Sequence, residues 1–178
     1  MYQEIIDFWF TQLTPDRWFR KDPGLDEQMR QRFGSVHRQA EQGELWRWRM
    51  TDLGRLAEII VLDQFSRNMW RSTPRSFASD GMALVLAQEA IALGVDERLS
   101  LDQCMFLYMP FMHSESLLIH ERAMELFSVP GLEENLEYER QHRDILQRFG
   151  RYPHRNEILG RVSTEEEVLF LSQPGSSF

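Results

Sequence analysis

The stretch from Gln147 to Arg161 concentrates side chains of this sequence that could do chemistry. It reads QRFGRYPHRNEILGR, and it combines guanidinium, imidazole and amide groups around a predicted helix boundary. Gly150 is typical of the left-handed residue that ends a helix, and Pro153 is typical of the first residue of the next one. The free N–H groups of that helix N-terminus, with the forked donors of Arg151 and Arg155, would suit a carboxylate or a phosphate. We therefore expect a small anion as the ligand.

Three further segments bring polar side chains to predicted helix ends. Asp63-Gln64-Phe65-Ser66-Arg67-Asn68 directly continues an apolar helix, and the other two are the segment from Tyr108 to Glu115 and the helix that carries His142. Helical spacing puts Asp63 and Arg67 one turn apart. Because helix ends are places where side chains of several helices meet, these segments predict one polar pocket. Its residues are Asp63, Gln64, Arg67, Asn68, Tyr108, His113, Glu115, His142, Arg151, His154, Arg155 and Asn156.

Each residue type has a chemical role in such a pocket. The imidazoles of His113, His142 and His154 exchange protons near neutral pH, and the arginines hold an anion. Asp63 and Glu115 would orient or accept hydrogen-bond donors. The simpler alternative is that the histidines satisfy buried backbone groups and that the arginines cover the surface. The polar strip after the apolar helix would then be an ordinary pair of Asp63 and Arg67 with solvated amides. No motif identifies a reaction, so the sequence assigns no catalytic residue.

The sequence lacks the motifs of metal binding, of nucleophilic catalysis and of glycine-rich phosphate-binding loops. The sequence contains neither a His-Glu-x-x-His motif nor paired cysteines, which are the usual zinc-binding patterns. Glu139 and His142 form one Glu-x-x-His motif, whereas a carboxylate-bridged dimetal bundle needs two. The sole cysteine, Cys104, has apolar neighbours, which predicts an inert core thiol. There is no Gly-x-Ser-x-Gly and no Gly-x-x-x-x-Gly-Lys. We expect no metal site, and the sequence implies no particular cofactor.

Length and charge limit the class of protein. A chain of 178 residues fits one domain over residues 1–178, and a net charge of −8 disfavours nucleic acid and anionic membranes as partners. The N-terminus carries acids where a signal peptide would carry bases, and no apolar run approaches membrane-spanning length. One cysteine suits a reducing compartment. We expect a cytoplasmic protein.

The elements that must position these side chains read as helices throughout. Prolines fall between apolar-periodic segments, and no segment shows sustained period-two alternation. The pattern therefore favours an all-α fold of antiparallel helix pairs, without a readable tetratricopeptide repeat. The predicted helix ends are Pro15, Gly43, Gly94, Pro110 and Gly150, and the predicted starts are Thr51, Ser100, Ser114, Pro153 and Thr164.

Several long runs of the sequence resemble the bacterial domain-of-unknown-function 924 family, over essentially the whole chain. These runs are Phe8–Phe10, Trp18-Phe19, Gly54–Asn68, Tyr108–Glu115, Arg148–Asn156 and Pro174–Phe178. The resemblance implies a helical fold similar to the tetratricopeptide-like right-handed superhelix, and no established activity. The sequence departs from the family pattern at Ser66, where proline is usual, and at His120, where glutamine is expected. If His120 faces the pocket, ligand preference would differ from that of relatives.

Two functions therefore remain open. The first is a small-molecule binder or enzyme that uses the polar pocket for an anionic ligand. The second is a protein- or peptide-binding scaffold, which the superhelical resemblance suggests, with Trp9, Trp18, Trp46 and Trp48 available to a partner. Ionisable residues at helix ends favour the first function. An exposed tryptophan-rich groove would favour the second.

Overall fold

The computed structural model describes residues 1–176, which contain helices and turns but no β-strand, so the predicted all-α class is confirmed. Ser177 and Phe178, from the tail that the family resemblance included, lie outside the described residues. Within residues 1–176, no helix has the length and apolar character needed to cross a lipid bilayer. The α-helices are α1 (Tyr2–Asp7), α2 (Pro15–Trp18), α3 (Pro23–Glu41), α4 (Asp52–Ile60), α5 (Ser66–Met69), α6 (Asp80–Ala92), α7 (Leu101–Met112), α8 (Leu117–Leu126), α9 (Glu133–Phe149) and α10 (Glu165–Leu171).

Short π-helical and 3₁₀ turns interrupt or connect these helices. A π-helical turn at Phe8–Gln12 prolongs α1, and another at Val61–Phe65 joins α4 to α5 without a break. Such turns insert one residue into a helix and often occur at functional positions. The 3₁₀ turns are Trp46–Met50, Pro74–Ser76, Asp96–Arg98 and Pro153–Arg155.

The chain forms two compact units. The first comprises Met1–Arg71 with Arg75–Pro110, and the second comprises Ser72–Pro74 with the chain from Phe111 onward. The single domain expected over residues 1–178 stays a prediction, as does the superhelical arrangement of the helices.

Aromatic rings dominate the core of the first unit, where α1 packs on α4, α4 on α6 and α3 on α5. Trp9 is completely buried, with its ring centroid 5.6 Å from that of Phe65. The indole N–H of Trp18 donates to the Trp9 carbonyl at 2.8 Å. Trp18 and Trp48 are each only 8% exposed, whereas Trp46 is 56% exposed. Three of the four tryptophans proposed for a partner therefore belong to the core.

Local signals placed several helix boundaries correctly. Thr51 caps α4, because its hydroxyl accepts from the Gly54 N–H at 3.1 Å. Thr164 and Glu167 form the predicted capping box of α10. Ser100 and Gln103 exchange the two bonds of a second box, at 3.0 and 3.4 Å. The α9 helix ends at Gly150 with φ +69°, as a left-handed cap requires.

Two predicted boundaries near the end of α7 were wrong. The α7 helix continues past Pro110 to Met112, because a proline in the last turn removes a single hydrogen bond of that turn. The α8 helix starts at Leu117 with Ser116 as its N-cap residue, not at Ser114. The carbonyl of Ser114 instead lies 2.8 Å from His120 Nε2, so a tertiary contact holds this connection outside the helix.

The helix predicted to begin at Pro153 was also wrong. Pro153–Arg155 is a three-residue 3₁₀ turn, and turns follow it up to Gly160. Arg161 stabilises this loop, because its backbone N–H donates to the Asn156 carbonyl at 2.8 Å and its guanidinium donates to the Tyr152 carbonyl at 3.0 Å. The anion site predicted at a helix N-terminus therefore has no helix to supply it.

In the second unit, α8 packs against α9, and Ile145, Leu146 and Tyr152 form a buried apolar cluster with Phe149 and Phe170 beside it. Phe149 and Phe170 join α9 to α10, with ring centroids 5.0 Å apart. Tyr152 belongs to this apolar cluster through its ring while its hydroxyl takes part in a polar network.

Candidate functional site

The polar strip of the first unit is buried and internally paired. Asp63 lies in the π-helical turn and is 1% exposed, and Gln64 Nε2 donates to Asp63 Oδ2 at 2.7 Å. Arg67 Nη1 donates to Asp63 Oδ1 at 3.1 Å, which confirms the predicted pair one turn apart. The alternative of an Asp–Arg pair with solvated amides was right about the pair and wrong about the amides, because Gln64 and Asn68 are each only 6% exposed.

Partners distant in sequence complete this strip. Arg67 donates to both carboxylate oxygens of Asp80 on α6, at 2.8 and 2.9 Å. Asn68 Nδ2 donates to Asp26 Oδ1 on α3 at 2.9 Å, and Arg71 donates to both oxygens of the same carboxylate. The amides of Gln64 and Asn68 thus serve different carboxylates, although helical spacing brings them one turn apart. These contacts tie α5 to α3 and α6.

Tyr108 has a structural position in the first unit. Its hydroxyl donates to Asp96 Oδ2 at 3.1 Å, and burial, reinforced by Asp96 and Cys104, raises the pKa of the phenol. Cys104 is buried beside it, and burial raises the pKa of the thiol. Both groups therefore stay protonated near neutral pH, which supports the prediction of an inert thiol.

His37 and Ser66 form an arrangement that resembles a nucleophile with its base. His37 Nε2 lies 2.7 Å from Ser66 Oγ, and His37 Nδ1 lies 3.4 Å from Glu41 Oε2. However, Ser66 donates its hydroxyl hydrogen to the Leu62 carbonyl at 2.6 Å, so Nε2 must itself carry a hydrogen. His37 and Ser66 are both completely buried, and burial lowers the pKa of His37. The pair holds the π-helical turn in place and does not activate a serine.

The second unit gathers ionisable side chains around one tyrosine. The ring of Tyr152 is completely buried, and the ring centroids of His120, His142 and His154 lie 6.2, 5.7 and 5.6 Å from it. The guanidinium carbon of Arg155 lies 4.7 Å from the same centroid. The Tyr152 hydroxyl donates to the Met112 carbonyl at 2.6 Å. We call these residues, with Glu139, the Tyr152 cluster: His120, Glu139, His142, Tyr152, His154 and Arg155.

His142 is held as a neutral imidazole of known tautomer. Its Nδ1 lies 2.7 Å from the Tyr138 carbonyl, which only accepts, so Nδ1 carries the hydrogen and Nε2 carries the lone pair. Burial, together with smaller effects of the neighbouring His113, His120 and His154, lowers the pKa of His142 to about 3, although the hydrogen bond to the Tyr138 carbonyl opposes the shift. The ring therefore stays uncharged at neutral pH, even though the Tyr138 carbonyl accepts from it.

The Glu-x-x-His spacing of α9 does not build a metal site. Glu139 Oε1 pairs with His120 Nδ1 at 2.6 Å, whereas His142 binds the backbone of its own helix. Within residues 1–176, no group of three or more His, Cys, Asp or Glu side chains is arranged to hold a metal ion.

The arginines of the loop after α9 have different surroundings. Arg151 donates to both oxygens of Glu167 at 2.6 and 2.7 Å, and this pairing lowers the pKa of Glu167 to about 2. Arg161 donates to both oxygens of Glu115 at 2.8 and 2.9 Å. Arg155 is only 6% exposed, and its Nη2 donates to the His113 carbonyl at 2.9 Å. Arg151 and Arg161 thus stabilise the loop through carboxylates of the chain.

Glu115 and Asn156 also serve this loop. Glu115 Oε1 accepts from the backbone N–H of Tyr152 at 2.7 Å, and the neighbouring guanidinium groups outweigh burial to lower the pKa of Glu115. Asn156 accepts from Arg161 Nε at 2.9 Å and donates to Ser163 Oγ at 3.0 Å. Both residues therefore fix the backbone of the loop that carries Tyr152 and Arg155.

The predicted pocket residues divide between the two units. Asp63, Gln64, Arg67, Asn68 and Tyr108 belong to the first unit, and His113, Glu115, His142, Arg151, His154, Arg155 and Asn156 belong to the second. Within the second unit the structure brings His142, His154 and Arg155 together around Tyr152. The convergence of all the predicted residues on one pocket stays a prediction.

The predicted pocket omitted four important residues of the second unit, namely His120, Glu139, Tyr152 and Arg161, although the departure from the family pattern had left open whether His120 faces the pocket. A signal existed for two of them. Glu139 shares the buried stripe of α9 with His142 and Leu146 at spacings of three and seven residues, and His120 lies on the apolar stripe of α8. A titratable residue on a buried stripe needs a partner. No comparable pattern indicates Arg161, whose partner is 46 residues away.

Comparison with known proteins agrees with this fold. Residues 5–175 match the family described as bacterial protein of unknown function (DUF924). A solved structure of a protein of unknown function from Agrobacterium tumefaciens is similar at 40% sequence identity and a TM-score of 0.91, covering 96% of each chain. No curated protein matches the chain. The match over nearly all residues means that the chain belongs to the bacterial DUF924 family.

Proposed function

We propose that the Tyr152 cluster binds a small anionic molecule, such as a phosphate or a carboxylate. Arg155 and His154 are the residues assigned to contact with the anionic oxygens, and His142 Nε2 would accept a hydrogen bond from a hydroxyl of the ligand, such as that of a hydrogen phosphate. His120 and Glu139 lie behind these residues and support them. The observation that carries the proposal is the meeting of three imidazoles and one guanidinium on a single tyrosine ring. Binding sites of this kind combine an apolar surface with a few fixed polar groups.

The fixed orientation of Arg155 supports this assignment. The His113 carbonyl and the face of Tyr152 hold its guanidinium, which is almost entirely buried. A planar fork that is already ordered loses little conformational entropy when it binds a carboxylate or phosphate. Its positive charge also acts on its surroundings, since it helps to lower the pKa of Glu115.

The histidines supply hydrogen-bonding groups without excess charge. His142 is neutral near pH 7, because burial keeps its pKa far below that value. His154 is only partly buried, so it remains within reach of solvent. The combination favours an anion that also carries a hydroxyl, because Arg155 supplies a permanent positive charge and His142 Nε2 supplies an acceptor.

The burial of three tryptophans weakens the scaffold alternative. Trp9, Trp18 and Trp48 fill the core of the first unit, and Trp46 alone among the four proposed tryptophans is exposed. Aromatic anchors of a peptide groove must be accessible to their partner. The anionic ligand is therefore the function that the arrangement of side chains supports best.

Thermal unfolding with and without inorganic phosphate tests the proposal. At matched ionic strength, phosphate at a hundred times its dissociation constant should add about 2.7 kcal/mol to the free energy of unfolding. Arg155→Ala should lose this increase and Arg155→Lys should retain only part of it. Arg140→Ala is the matched control, because Arg140 is an exposed arginine of α9 paired with Glu137.

The two variants separate specific binding from general charge effects. Equal phosphate responses in Arg155→Ala and Arg140→Ala would place the anion elsewhere on the surface. If sulfate, phosphate and small dicarboxylates all leave the melting temperature of the wild-type protein unchanged, the Tyr152 cluster is not an anion site.

A further inference from the structure

The pair formed by Glu139 and His120 suggests a role beyond support. Both side chains are completely buried, one on α9 and the other on α8, and Glu139 Oε1 lies 2.6 Å from His120 Nδ1. The opposite edge of the same imidazole lies 3.1 Å from the Tyr152 hydroxyl oxygen. A change in the protonation of His120 would therefore change the charge next to the Tyr152 hydroxyl.

The acceptors around His120 determine where its hydrogens lie. Ser114 presents a carbonyl oxygen 2.8 Å from Nε2, and a carbonyl only accepts. Tyr152 gives its hydroxyl hydrogen to the Met112 carbonyl, so its oxygen accepts from Nε2. Nε2 therefore carries a hydrogen. The remaining proton lies between Nδ1 and Glu139, either as imidazolium with carboxylate or as neutral imidazole with carboxylic acid.

The second oxygen of Glu139 favours the neutral form. Oε2 is buried, and no group within residues 1–176 forms a hydrogen bond with it. A carboxylate would leave a negative charge unsolvated there, whereas an acid leaves only a carbonyl oxygen, whose burial costs much less. Burial accordingly raises the pKa of Glu139, although His120 and Arg143 oppose the effect.

The cations around the pair act on its two members in opposite directions, because Arg143 favours a carboxylate at Glu139, whereas a nearby cation disfavours an imidazolium at His120. The charged and titratable groups of the second unit that act on the pair or lie around the same tyrosine are Arg143, His142, His113, His154, Arg155 and Tyr152. A positive imidazolium at His120 would add to a region that already contains guanidinium groups. A bound anion would remove that penalty and attract the imidazolium.

We propose that Glu139 is a neutral carboxylic acid in the ligand-free protein and passes its proton to His120 when an anion binds to the Tyr152 cluster. The O–H bond at Oε1 breaks, an N–H bond forms at Nδ1, and the net charge of the pair stays zero. The transfer places a positive charge on the ring next to Tyr152 and a negative charge on the far side of that ring. His120 and Glu139 are positioning residues, and the coupling to an anion rests on the proposed function.

Infrared difference spectroscopy observes the proton directly. Subtraction of the Glu139→Gln spectrum from the wild-type spectrum, at neutral pH without phosphate, should reveal the C=O stretch of a protonated carboxylic acid. The control is Glu134→Gln, which removes an exposed carboxylate of the same helix and should reveal no such band. Phosphate should reduce the acid band, and the ¹⁵N resonance of His120 Nδ1 should move to the position of a protonated nitrogen.

Affinity provides an independent measure of the coupling. Gln at position 139 preserves the shape of the side chain and cannot pass on a proton, so phosphate should bind at least about 5-fold more weakly to Glu139→Gln. Glu134→Gln should bind phosphate as the wild type does. If Glu139→Gln does not fold, wild-type protein labelled with ¹³C at the glutamate carboxyl carbon gives the same band by isotope shift.

Three results would decide against the proposal in different ways. Absence of an acid band in the phosphate-free protein would mean that the pair is an ion pair. A band that phosphate leaves unchanged, while phosphate raises the melting temperature, would exclude the transfer. Failure of phosphate to stabilise the protein would overturn the proposed function and the coupling together, whereas the band in the free protein would still report the state of Glu139.

Discussion

Arg49 and Glu58 form a bidentate ion pair in which the carboxylate is completely buried. Arg49 Nε and Nη2 each donate to one oxygen of Glu58 at 2.7 Å, and the arginine side chain remains 28% exposed. The pair joins the 3₁₀ turn Trp46–Met50 to the middle of α4. The guanidinium of Arg49 neutralises the Glu58 carboxylate, which is buried away from solvent.

Removal of Arg49 should therefore strongly destabilise the protein. Arg49→Ala leaves the Glu58 carboxylate buried without its cation, and we expect a loss of about 3–5 kcal/mol in the free energy of unfolding, measured by urea denaturation. Arg47→Ala, in the same turn, removes a guanidinium that stacks on exposed Trp46, and it should cost less than about 1 kcal/mol. Similar losses in both variants would contradict a special role for the buried pair.

Gly54 should tolerate no side chain, whereas Gly81 should tolerate alanine. A Cβ atom at Gly54 would lie 2.0 Å from the Trp48 carbonyl oxygen, and nothing lies within 4 Å of a Cβ at Gly81. Gly54→Ala should lower the free energy of unfolding by about 1–3 kcal/mol or more, because the backbone of the preceding turn must move. Gly81→Ala should leave stability unchanged or raise it by at most about 1 kcal/mol. Chemical denaturation of both variants checks the difference. Equal free energies of unfolding for Gly54→Ala and the wild type would mean that the turn Trp46–Met50 moves without a loss of stability.

Acid should weaken the pair of Arg151 and Glu167. The guanidinium lowers the pKa of Glu167 from 4.5 to about 2, so the folded state binds a proton less readily than the unfolded chain does. The resulting stabilisation is complete above about pH 4.5 and is lost as the pH falls towards 2. Glu167→Gln should show a smaller loss of stability across that interval than the wild type. Parallel curves for the two proteins would mean that the pair makes no pH-dependent contribution.

His142 should contribute at higher pH, in an interval that overlaps that of Glu167 only below about pH 4.5. Burial lowers its pKa from 6.5 to about 3, so between these values the unfolded chain binds a proton that the folded protein does not. Stability should consequently fall as the pH drops below 6.5, with a slope approaching about 1.4 kcal/mol per pH unit. His142→Asn should lack this slope between pH 6.5 and 4.5 in urea denaturation series. A slope that persists in the variant would have to come from another group.

Local sequence signals determined much of the helical framework. Thr51, with its side chain capping the N–H of Gly54, and Thr164 with Glu167 marked helix starts, because these contacts involve residues only three positions apart. Gly150 marked a helix end for a similar reason, since a left-handed residue is a local requirement. Apolar periodicity identified the helical class, because one face of each helix must be buried.

Tertiary structure decided the boundaries and the partners that depend on contacts longer than one helical turn. The Ser114 carbonyl is held by His120, and the loop after Pro153 is held by Arg161, so neither segment follows its local helix signal. The sequence identified Arg151 as a donor for anions, but Glu167 in another helix occupies it. Only folding brings such groups within hydrogen-bonding distance, and the cost of burying an unpaired charge then selects their partners. The same cost acts on Glu139 and His120: helical spacing indicates that each lies on a buried stripe, but only the packing of α8 against α9 pairs them.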